Sequence, residues 1–114
     1  MAQKKLPDAL TRRHLVEHEM SAAQALRYAE LYLEEGRVLE AIDFLSKADA
    51  DDRLAELRSA VVEQGDLFAL RAVAAATGVD VEREEWIALA EAAEAAGKES
   101  YALDARLQAN RGEG

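Results

Sequence analysis

Cysteine is absent from this chain. A disulfide framework, a thiolate nucleophile and a cysteine metal site are therefore excluded, and the composition fits a reducing compartment. Proline occurs once, at Pro7, so no later segment loses a backbone N–H to a ring. β-Branched and aromatic residues are sparse, which leaves little material for a sheet. Apolar runs such as Ala72–Ala76 are far too short to cross a bilayer. The opening MAQKKLPDALTRR carries positive charge, but no apolar stretch follows it. No secretory signal is expected, and cytoplasmic residence is. Basic residues are also in deficit: 14 Lys and Arg against 23 Asp and Glu give a net charge of −9. Such a field repels nucleic-acid phosphates and anionic membrane surfaces and favours basic partners.

What is present is helix-forming. Ala, Leu, Glu and Arg dominate. Three glycines, Gly36, Gly65 and Gly97, each separate two apolar-periodic segments, at spacings of 29 and 32 residues. Recurrence at that period is the signature of stacked helical hairpins. The pattern predicts helices at about 8–19, 22–35, 38–48, 53–64, 67–76, 83–96 and 100–109. Ser21 and Gln24 read as a capping box, and the glycines suit the left-handed position after a helix. Asp51 or Asp52, Asp66, Asp80 or a neighbour, and Ser100 suit helix starts. Residues 1–20 read as an N-terminal helical extension, 21–110 as three hairpins, and 111–114 as a disordered tail. Apolar stripes run through Ala25, Tyr28, Ala29 and Tyr32, through Val38, Ala41, Ile42, Leu45 and Ala48, and through Trp86, Leu89, Ala90 and Ala93.

These residues resemble tetratricopeptide repeats. Ala25, Tyr28, Ala29 and Tyr32, then Ala41, Leu45 and Ala48, fall on the family's signature positions in the first repeat. Trp86, Leu89, Ala90, Ala93, Ala102 and Ala109 do so in the third, which departs at Arg106. In the second, Leu54, Leu57 and Val61 fit, while Arg58 stands where a small residue belongs and Leu70 replaces an alanine. The resemblance implies an all-α fold: a right-handed stack of three antiparallel hairpins behind an extra N-terminal helix. It also implies a concave face built from the first helix of each repeat. By register that face takes Leu26, Glu30, Leu33 and Glu34, then Ser59, Val62 and Glu63, then Glu84, Ile87, Glu91 and Glu94. The expected face is an apolar seam bordered by carboxylates. It suits a basic or amphipathic protein segment, as an adaptor or assembly chaperone would bind, with no cofactor and no enzymatic activity. The simpler alternative is a solvated acidic surface. The Lys and Asn residues that hold a partner's C-terminal acid in some members of the family are absent here.

Two further readings remain open at this stage. Leu103 and Leu107 lie one turn apart on the last helix, and a homodimer through that helix would make the protein a self-associating structural element. His14-Leu15-Val16-Glu17-His18 matches the H-x-x-E-H string of inverted zinc metalloproteases, two histidines one turn apart with a carboxylate beside them. A small metal-dependent hydrolase is the remote reading, because the chain offers little room for a third ligand and a cleft. Both histidines sit in that one turn, so a Ser/His/Asp set is not indicated, and the isolated glycines form no phosphate loop. Tyr28, Tyr32 and Trp86 are expected in the core rather than in a ligand-stacking box.

Overall fold

The computed structural model describes Leu10 and residues 20–111. From Ala22 onward it contains six helices: α1 (Ala22–Glu34), α2 (Val38–Lys47), α3 (Asp51–Glu63), α4 (Leu67–Thr77), α5 (Arg83–Ala95) and α6 (Glu99–Arg111). No strand occurs among the described residues. Each of these helices begins and ends within two residues of its expected span. Of the helix expected at 8–19 only Leu10 falls among the described residues, and positions 112–114 of the expected tail lie outside them; Arg111 instead completes α6. No helix among the described residues is long and apolar enough to cross a membrane.

One turn is used three times. Gly36, Gly65 and Gly97 hold φ of 73°, 67° and 78°. Each glycine N–H returns to the carbonyl three residues back: Leu33 at 3.0 Å, Val62 at 3.0 Å and Glu94 at 3.0 Å. Each following N–H returns five residues back, from Arg37 to Tyr32 (2.9 Å), Asp66 to Val61 (2.9 Å) and Lys98 to Ala93 (2.8 Å). This paired closure satisfies the orphan carbonyls of the helix end and reverses the chain at once. The α2–α3 connection makes the same two bonds, Asp49 to Ser46 (3.1 Å) and Ala50 to Leu45 (3.0 Å), with Asp49 at φ 51° in glycine's place. Nothing in the glycine spacing announced that turn.

The Ser21 cap is formed as expected: its Oγ accepts from the Gln24 N–H (3.1 Å), and its N–H donates to Gln24 Oε1 (3.3 Å). Asp66 caps α4 by accepting from the Ala69 N–H at 3.1 Å. Three other expected caps are corrected. Asp51 and Asp52 lie inside the first turn of α3, where their charge complements the helix dipole. Ser100 is the second residue of α6. Glu82, not Asp80, precedes α5, and its N–H donates to Glu85 Oε1 at 3.0 Å. All three helices carry acidic residues in the first turn: Asp51 and Asp52 in α3, Glu84 and Glu85 in α5, and Glu99 in α6.

The chain divides into two compact units, Met1–Leu54 and Ala55–Gly114, the division falling inside α3. In the first, α1 packs on α2. Ala25 and Ala29 are buried and let the backbones approach, and Tyr32 stacks on Phe44 with ring centres 5.5 Å apart. Tyr28, half-buried, meets the same ring at 5.3 Å. In the second, α5 packs on α6. Trp86, Leu89, Ala90 and Ala93 are buried, as are Ala102, Ala105 and Ala109. Burying each large apolar side chain contributes about 1.5–3 kcal/mol, which is what holds helices of 10–13 residues that would be marginal alone.

Candidate functional site

None of the eleven residues expected on the binding face is buried. Helical spacing is the reason. In α1 the buried stripe is Ala25, Ala29 and Tyr32, and Leu26, Glu30, Leu33 and Glu34 form the stripe beside it. Leu26 is 39% exposed, Glu34 is exposed, and Glu30 and Leu33 are half-buried. In α3, Ser59 and Glu63 are exposed and Val62 is half-buried. In α5, Glu84, Glu91 and Glu94 are exposed and Ile87 is half-buried, beside a core stripe that starts at Trp86.

Among these carboxylates, Glu30 and Glu94 are held by arginines. Arg53 grips Glu30 with both ends of its guanidinium, Nε to Oε2 at 2.8 Å and NH2 to Oε1 at 3.1 Å. That hydrogen bonding holds the Glu30 carboxyl below its ordinary value against the opposing pull of burial, and the Arg53 charge adds to it. Glu94 pairs with Arg106 across α5 and α6. Arg106, the residue that breaks the apolar pattern of the last helix, is exposed and serves as this carboxylate's partner.

Ile87 and Glu91 are brought together in a groove of about 250 Å³ between α5 and α6, which Arg83, Arg106, Ala109 and Asn110 complete. Its rim therefore carries both signs of charge, where the register alone had supplied only acids. The guanidiniums were missed because the expected face was drawn from the first helix of each repeat, which leaves out α6, and Arg83 was read only as the first residue of its helix.

The other misfit, Arg58, is also explained. Its Nε and NH2 hold Glu85 at 2.7 and 2.9 Å, while NH1 and NH2 donate to the carbonyls of Val79 (3.0 Å) and Asp80 (2.8 Å). One side chain thus fixes the α4–α5 connection and the start of α5. The bidentate bond from Arg58 lowers the Glu85 carboxyl, outweighing desolvation, and the same bond raises Arg58.

Trp86 is 8% exposed at the edge of a second cleft of about 590 Å³, with the Arg71 guanidinium 5.9 Å from its ring centre. Tyr32 is fully buried. Both are packing residues. Tyr101 is half-buried and meets Phe68 edge-on at 5.5 Å. Among the described residues no group of three or more His, Cys, Asp or Glu could hold a metal ion. His14, Glu17 and His18 lie outside the described residues.

No described protein family, no characterised protein and no solved structure matches this chain. Its class is set by its own helices: an all-α protein whose hairpins close through a repeated glycine turn.

Proposed function

We propose that this protein is a protein-interaction module, an adaptor or assembly chaperone without catalytic activity of its own. It works in the cytoplasm as a tetratricopeptide-like stack of three hairpins and binds a basic or amphipathic protein segment. The observation that carries the reading is the α5–α6 groove, where the half-buried Ile87 lies between Glu91 and the arginines Arg83 and Arg106. An apolar anchor on a partner helix would seat on Ile87, and a flanking Lys or Arg would meet Glu91 and Glu84. The exposure of Leu26 and the half-exposure of Leu33 and Val62, each next to a glutamate, support the same chemistry on α1 and α3.

Calorimetric titration with a basic amphipathic helical peptide tests it. Ile87→Ser should weaken binding roughly tenfold, the loss of one buried apolar anchor. Glu84→Lys and Glu91→Lys should each weaken it roughly two- to fivefold, as expected of rim charges. Affinity indifferent to all three substitutions would end the proposal.

A further inference from the structure

We propose that α6 pairs with a second copy of itself, antiparallel, about a two-fold axis near Leu107. This goes beyond the peptide-binding reading and does not depend on it. The buried face of α6 is alanine only: Ala102, Ala105 and Ala109. Leu103 and Leu107 point the other way and are 62% and 53% exposed. A helix that turns its smallest residues inward and its two leucines outward presents a face built for a further contact.

Charge identifies the occupant. Asp104, Leu107 and Arg111 lie at i, i+3 and i+7, on one line of the helix surface. Within its own chain Asp104 meets Gln108 Nε2 at 3.3 Å and, loosely, the Arg71 guanidinium at 3.7 Å; both contacts fall on Oδ1, and the side chain stays 39% exposed. The acid stands three residues before the leucine and the base four after it. An antiparallel copy whose Leu107 packs on this Leu107 therefore brings each Asp104 beside the partner's Arg111, twice over. A parallel copy would set acid against acid and base against base. Leu103, four residues before Leu107, then packs along the aliphatic stem of the arginine opposite. An isologous contact of this kind closes on itself and stops at two copies.

The contact is small. Thirteen residues of helix span about 20 Å, and one such face buries well under the roughly 800 Å² per partner typical of a stable dimer. The dimer should therefore form at tens to hundreds of micromolar rather than persist on dilution.

Sedimentation equilibrium up to about millimolar concentration reads this directly, with circular dichroism confirming that each variant keeps its helix content. The wild-type mass should rise toward twice the monomer. Leu103→Ser with Leu107→Ser should remain monomeric at every concentration, since both sites are exposed and folding does not need them. Arg111→Asp should weaken the dimer at least threefold, and Asp104→Arg added to it should restore most of the loss. Because the chain has no cysteine, Ser100→Cys and Asn110→Cys accept spin labels cleanly. Their cross-dimer axial separations should be about 21 Å and about 9 Å. Wild-type protein that stays monomeric, a dimer that survives loss of both leucines, or equal separations at the two labels would overturn the proposal.

Discussion

Gly65 carries the sharpest constraint of any single residue. All three repeat glycines need a positive φ, which a side chain resists by roughly 1 kcal/mol. Gly36 and Gly97 have nothing within 4 Å of where a Cβ would stand, but at Gly65 that atom would come 2.6 Å from both Cα and N of Ala93. The obstacle is backbone, so α5 itself would have to move. Gly36→Ala and Gly97→Ala should cost about 1 kcal/mol each, and Gly65→Ala at least about 2 kcal/mol more. Urea denaturation of the three variants checks the order. Arg58 is the other decisive side chain. Arg58→Ala removes both bonds to Glu85 and both carbonyl bonds, and should cost about 2 kcal/mol. The pH dependence follows from Glu85, whose folded carboxyl lies below its ordinary 4.5. A depressed folded value means the stabilisation is complete above that ordinary value and fades as pH falls through the folded one. The gap in melting temperature between wild type and Glu85→Gln should be open at pH 7 and narrow as the pH falls below the ordinary 4.5. A gap that widened with acid would contradict the pairing.

At the scale of elements, the protein repeats a turn more faithfully than a sequence. The four closures share one pair of hydrogen bonds but little sequence: the carbonyl that closes the wider turn belongs to Tyr32, Leu45, Val61 and Ala93 in turn. The bond geometry demands only a left-handed residue at the right distance from the helix end. Three glycines made it legible in advance. The fourth was hidden, because aspartate is tolerated at φ 51° but does not advertise it. Asp49→Gly should relieve that conformation and stabilise the fold by about 0.5 kcal/mol, raising the melting temperature by about 2–4 °C. Scanning calorimetry would show it. A fall would mean that the Asp49 side chain contributes more than its backbone costs. The α4–α5 connection is of another kind: Gly78 ends α4 at φ 71°, and the length to Glu82 is held from outside by Arg58. No local pattern encodes that bracing, since Arg58 stands 21 residues away from Val79.

Across the whole molecule, the net charge of −9 acts on any partner before contact. Association of a basic peptide should slow as salt is raised from 50 to 500 mM, because the Debye length shrinks to under about half. Stopped-flow measurement should place most of that change in the association rate and little in dissociation. The charge is not evenly available, however. Glu30 and Glu94 are each held by an arginine of their own chain, so Glu84 and Glu91 should govern recognition more than Glu30 or Glu94 does.

Helix positions, the glycine turns and the inward faces were set locally, because periodicity, caps and a positive φ act over a few neighbouring residues. Ala25, Ala29, Trp86 and Ala93 could be assigned to the core from spacing alone, and they lie there. Which charges remain available could not be read that way. Arg53 reaches Glu30 across 23 residues, Arg58 reaches Glu85 across 27, and Arg106 reaches Glu94 across 12. An ion pair depends on where packed helices bring two long side chains, and nothing in either residue's neighbourhood specifies the other.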